Sequence, residues 1–88
     1  MGEREALDLA DALTELAQLC ETDGRPAEAE AHYRRALAIL ERSVEPGHPS
    51  RAVIRHHYAA LLAEAGRDAE AAYLEAGRPQ GGDGQNNP

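Results

Sequence analysis

Four histidines, one cysteine and sixteen carboxylates are the side chains of this 88-residue chain with the chemistry to do work on another molecule. His56 and His57 are adjacent, which puts them about 100° apart on a helix, whereas a two-histidine metal clamp wants positions i and i+4. His32 and His48 belong to other segments, and no carboxylate completes a ligand spacing, so no metal site is expected. Cys20 falls on the apolar side of a helical pattern as a small hydrophobe, and no histidine stands near it to act as its base. Ser43 and Ser50 lack a G-x-S-x-G turn. The glycines of Gly81-Gly82-Asp83-Gly84 have neither a strand before them nor a lysine after them to cradle phosphate. These residues point to no enzyme, no catalytic residue and no cofactor.

The charge is informative because of where it lies. Residues 1–23 carry Glu3, Glu5, Asp8, Asp11, Glu15, Glu21 and Asp23 against Arg4 alone, while the acids and bases of residues 24–78 balance. Every basic residue is arginine, a planar fork suited to carboxylates. An acidic leading segment repels phosphate backbones, which excludes nucleic acid as an expected partner. No apolar run approaches the length of a membrane span, the start of the chain has acids where a secretory leader has bases, and a lone cysteine forms no internal disulfide. A soluble, cytoplasmic protein is the expectation.

The elements that must carry these groups are helices. Eighteen alanines and ten leucines stand against two valines, two isoleucines and no phenylalanine, a composition that favours close-packed helices over sheet. Leu9, Leu13, Leu16 and Cys20, flanked by Ala10 and Ala17, predict an amphipathic helix over Ala6–Thr22 that Gly24 ends. Pro26 opens a second helix, with Glu28 and Glu30 in its first turn and Ala29, Tyr33, Ala36, Leu37 and Leu40 as its stripe. Pro46, Gly47 and Pro49 stop it, and Ser50 is the predicted N-cap of a third helix over Arg51–Ala65 with Ile54, Tyr58, Leu61, Leu62 and Ala65 on one side. A short fourth helix over Asp68–Ala76 places Ala69, Ala72, Tyr73 and Ala76 on a stripe, and residues 77–88 read as a disordered tail.

The two halves align at an offset of 42 residues. Leu16 falls on Tyr58, Ala17 on Ala59, Leu19 on Leu61, Cys20 on Leu62, Gly24-Arg25 on Gly66-Arg67 and Ala27-Glu28-Ala29 on Ala69-Glu70-Ala71. A period of this length with two helices per unit is the mark of a helical solenoid. The pattern L-x-x-L-A-x-x-C-x-x-x-G at Leu13–Gly24, with A-x-x-x-Y-x-x-A-L at Ala29–Leu37, resembles the tetratricopeptide repeat. The stretch Tyr33–Ala52 resembles the longer second helix and His-Pro loop of the kinesin-light-chain type. The expected fold is therefore all-α: two antiparallel helical hairpins stacked as a short solenoid of about four helices. Repeat one spans 9–49 and a degenerate repeat two spans 50–76, within a domain of 1–76 and followed by the tail. In the second repeat Arg55 replaces an expected apolar residue, and Tyr73 and Ala76 fit the Tyr-x-x-Ala signature only after deletion of two residues.

The resemblance implies a non-catalytic adaptor that holds a peptide or helix on the concave face lined by each repeat's first helix. Transferred position by position, that face comprises Asp11, Thr14, Glu15 and Gln18, with Val53, His56, His57 and Ala60. Its acidity predicts a basic or neutral partner. With fewer than two full repeats to cover one another, self-association as a homodimer or stabilisation by a partner is also expected. The second functional class is a helical carrier that presents the tail peptide for recognition or processing at Gly81-Gly82.

Overall fold

The computed structural model describes residues 2–76, so the predicted disordered tail and the carrier function attached to it lie outside the described residues. Four helices follow one another: α1 (Glu3–Thr22), α2 (Pro26–Ser43), α3 (Pro49–Glu64) and α4 (Asp68–Glu75). No strand occurs among the described residues. α1 pairs with α2 and α3 with α4 as two hairpins, and the hairpins meet mainly through α2 against α3.

The two hairpin turns are the same device used twice. In the first, Gly24 takes φ +74, its N–H donates to the Glu21 carbonyl at 3.0 Å, and Arg25 N–H donates to the Cys20 carbonyl at 2.8 Å. In the second, Gly66 takes φ +80, its N–H reaches the Ala63 carbonyl at 3.0 Å, and Arg67 N–H reaches the Leu62 carbonyl at 2.9 Å. This paired closure satisfies the last carbonyls of each helix and needs a left-handed residue, which glycine adopts without penalty. A Cβ built on either glycine meets nothing within 4 Å, so only the backbone resists substitution. Gly24→Ala and Gly66→Ala are each expected to cost about 1–2 kcal/mol, and to add in the double variant because the turns share no partner. Urea denaturation of the three variants checks both statements.

The third helix starts earlier than the sequence suggests. Pro49 occupies the first helical position, where its fixed φ is already helical, and His48 rather than Ser50 is the N-cap. The Ser50 N–H donates to His48 Nδ1 at 3.2 Å, and the other ring nitrogen faces Glu3 at 3.7 Å, tying the interhairpin loop to the start of α1.

The buried layer is built from alanine as much as from leucine. Ala6, Ala10, Leu13 and Ala17 of α1 are buried, and so are Ala29, Tyr33, Ala36, Leu37, Ile39 and Leu40 of α2. The second hairpin contributes Ile54, Tyr58, Ala59, Leu61, Leu62 and Ala71. The α2 stripe matches expectation, and so does that of α3 except for Ala65, which is exposed. Two expected stripes need correction. Leu16 is 46% exposed and Cys20 and Leu9 only half-buried, because the small residues face α2 and let the helix axes approach, leaving the leucines at the margin. In α4 the buried residue is Ala71, in the place Ala29 holds in α2, while Ala69, Ala72, Tyr73 and Ala76 face outward.

Candidate functional site

The hairpin junction is organised by one carboxylate. Glu30 of α2, with its side chain 13% exposed, receives Arg67 Nη1 on Oε1 at 2.8 Å and Arg67 Nη2 on Oε2 at 3.1 Å. The same Oε2 accepts from the Tyr58 hydroxyl at 2.7 Å and from Arg34 Nη2 at 2.8 Å, and Arg34 Nε donates to the Tyr58 oxygen at 3.1 Å. The Arg67 bonds, reinforced by Tyr58 and by the charge of Arg34, hold the Glu30 carboxyl at about 2 against the opposing effect of burial. Arg67 also grips Glu70 at 2.6 Å, which lowers the Glu70 carboxyl in turn. Beside this network the Tyr33 and Tyr58 rings stack with centroids 5.8 Å apart and planes 16° from parallel. Tyr33 donates to Glu21 Oε2 at 2.5 Å. Burial, then the neighbouring carboxylates, push both phenols up from their ordinary value.

Two clefts open at this junction. One of about 260 Å³ is lined by Glu21, Gly24, Pro26, Leu61, Glu64 and Ala65. Its neighbour of about 230 Å³ shares Pro26, Leu61 and Ala65 and reaches Glu30 and Arg67. Each offers a small apolar floor with charged groups at the rim. Sequence reasoning missed both the clefts and the network. Their residues come from four helices and two turns, and no periodicity along one helix signals such a meeting.

The eight residues transferred from the repeat pattern lie on two separate helices, at positions related by the 42-residue offset. Asp11, Glu15 and Gln18 are exposed on α1, and Thr14 is half-buried with its hydroxyl donating to the Ala10 carbonyl at 2.8 Å. On α3, Val53, His56 and Ala60 are exposed and His57 is half-buried. His56 Nδ1 lies 3.2 Å from Glu75 Oε2, so this ring is engaged with α4, and the His56 and His57 rings sit edge to face at 6.0 Å. α1 and α3 barely touch, and among the described residues no hydrogen bond or ion pair joins the two sets. They form two neighbouring patches of surface rather than a closed pocket.

The acids of the molecule divide into those with an internal partner and those without. Glu21, Glu28, Glu30, Glu70 and Glu75 each hold a partner within the chain. Asp8, Asp11 and Glu15 are exposed on α1 and form no ion pair among the described residues. Among the described residues no group of three or more His, Cys, Asp or Glu is arranged to hold a metal ion, and no helix is long and apolar enough to cross a membrane.

The family model described as tetratricopeptide repeat matches residues 8–76, a span that takes in both hairpins, both glycine turns and the junction between them. No curated protein and no solved structure matches the chain.

Proposed function

The chain belongs to the tetratricopeptide repeat family, whose repeats generally mediate protein–protein interaction, and from that premise we propose that it is a non-catalytic adaptor that holds a basic or neutral peptide segment on the outer faces of α1 and α3. One observation carries the reading. Asp8, Asp11 and Glu15 follow one another at helical spacing along one exposed face of α1 and have no ion-pair partner among the described residues, while the arginines of the junction are engaged with Glu30 and Glu70. Uncompensated charge of one sign on a surface attracts and orients a partner of the other sign. Val53 and Ala60 add an apolar strip along α3 on which an aliphatic side chain rests, and Gln18 offers both a donor and an acceptor to peptide backbone.

Fluorescence anisotropy with labelled peptides of fixed length and graded charge tests this. Lysine- and arginine-containing peptides are expected to bind, and acidic ones are not. Asp11→Asn with Glu15→Gln is expected to weaken the basic peptides by about tenfold, with a shallower salt dependence. Retention of acidic peptides alone would sink the assignment of this face.

A further inference from the structure

We propose that α4 of one copy of this chain docks on the open side of α1 in a second copy, so that the molecules associate head to tail. The proposal deepens the reading of the chain as a protein-interaction module and names a partner for surfaces that the peptide-binding face does not use.

The chain itself shows what covers such a helix. Ile54, Tyr58 and Leu61 of α3 are buried where α2 meets them. Their counterparts 42 residues earlier, Ala12, Leu16 and Leu19 of α1, form a stripe at the same spacing with nothing over it, Leu16 being 46% and Leu19 63% exposed. The adjoining arginine repeats the pattern. Arg67 divides its donors between Glu70 of its own helix and Glu30 of the preceding hairpin. Arg25, its counterpart, holds Glu28 at 3.0 Å in the place of Glu70 and has no second carboxylate among the described residues. The α1 end thus lacks two things at once: an aromatic over its leucines and a carboxylate for its arginine.

α4 carries both. The segment of α2 that covers α3 reads Ala29-Glu30-Ala31-His32-Tyr33-Arg34-Arg35-Ala36, and α4 with its cap reads Ala69-Glu70-Ala71-Ala72-Tyr73-Leu74-Glu75-Ala76. Five of the eight residues are the same, with Glu and Tyr again three apart. This second occurrence lies 40 residues on, whereas the hairpin packs at an offset of 42, with Ala71 in the place of Ala29. Two residues of slip rotate the motif by about 200°, from the inside of its hairpin to the outside. Tyr73 is accordingly 59% exposed, with Ala69 and Ala76 exposed beside it. Tyr73 over Leu16 and Leu19, with Arg25 on Glu70, repeats between copies the contact that α2 makes with α3 inside one. Pairing of α1 with α1 about a two-fold axis sets seven acids against seven, whereas α4 brings only Asp68, Glu70 and Glu75, the last two already partnered by Arg67 and His56. A head-to-tail contact uses different surfaces on the two copies and does not close on itself by default, so it propagates.

Sedimentation of the full chain across a concentration series is the test, with helicity by circular dichroism as the folding control. The wild-type mass is expected to rise past dimer. Leu19→Glu and Tyr73→Glu, each blocking one end, are expected to be monomers, and their equimolar mixture to form a dimer that grows no further. Leu19→Lys replaces Leu19→Glu if that variant loses helicity. Arg25→Gln keeps the apolar contact and is expected to weaken association about tenfold. A wild type that stays monomeric to several hundred micromolar overturns the proposal, and so does a dimer that neither variant breaks or that mixing fails to restore. Peptide binding, read by anisotropy on the monomeric Tyr73→Glu variant, stands or falls separately.

Discussion

Tyr33→Ala is expected to leave the domain unfolded or nearly so at room temperature. Among the described residues Tyr33 and Leu40 are the largest fully buried side chains, and Tyr33 occupies the middle of α2 where both hairpins meet. Removing a buried aromatic costs about 3–5 kcal/mol through lost burial and the cavity left behind. The stack on Tyr58 at 5.8 Å adds about 1 kcal/mol beyond area. A folded unit of 75 residues has on the order of 4–11 kcal/mol in total, and a core this rich in alanine belongs at the low end of that span. Tyr33→Phe separates the contributions: it keeps ring and stack and loses only the bond to Glu21, for an expected cost of about 1 kcal/mol. Urea melts followed at 222 nm distinguish the two variants. If Tyr33→Ala melts within about 1 kcal/mol of wild type, Tyr33 is not the keystone described above.

Glu30→Gln is expected to destabilise by about 2 kcal/mol and to change the response to acid as well as its level. The amide keeps one acceptor where the carboxylate serves Arg67, Tyr58 and Arg34 together. The two arginines stay partly hydrated and do not become orphaned buried charges, which keeps the cost below that of a fully buried pair. Because the folded state holds Glu30 at about 2, against an ordinary 4.5, its contribution is complete above pH 4.5. It is lost progressively as pH falls toward 2. Wild type should therefore lose stability steeply over that window, and the Gln variant less steeply. The tyrosines act at the other extreme: raised phenol values favour the folded state below pH 10, and that benefit fades as pH climbs beyond it. Equal slopes in acid for the two proteins would remove Glu30 from the centre of the network.

The turns and the second helix were legible in the residues because their causes are local. Gly24 and Gly66 end helices by a conformation that only a few residues adopt, and the stripe Ala29, Tyr33, Ala36, Leu37 and Leu40 points one way at helical spacing. In α1 the size of the side chains misled. Leu9, Leu16 and Cys20 look like core to any reading that counts apolar bulk, yet helices that approach through Ala10 and Ala17 push their larger neighbours to the edge. In α4 two patterns compete, one centred on Ala71 and one on Tyr73, and contact with α3 decides between them. The Glu30 network joins residues 28 and 37 apart in the chain, and a carboxylate near the start of a helix has a sufficient local explanation in the helix dipole. For the interaction face, the sequence identified positions on α1 and α3 by analogy with a repeat. It could not show that His56 is taken up by Glu75 or that Thr14 turns back to its own helix.

The mixed character of the junction, part polar network and part apolar contact, has a kinetic consequence. Within each hairpin, contacts join residues close in sequence and are made through small apolar side chains, so each hairpin forms quickly from local encounters. Between hairpins, beside the buried Ile54 and Leu61, the bond is a tyrosine stack and a polar network in which Arg67 and Tyr58 reach Glu30 and Arg34 reaches Tyr58, groups that water can solvate once parted. Opening there breaks none of the helical backbone bonds that melting either hairpin must break. Amide exchange should therefore fall into two blocks: slower, concerted exchange in α1 and α2, and faster release of α3 and α4. The molecule behaves as a pair of leaves on a hinge, and Glu30 is the clasp.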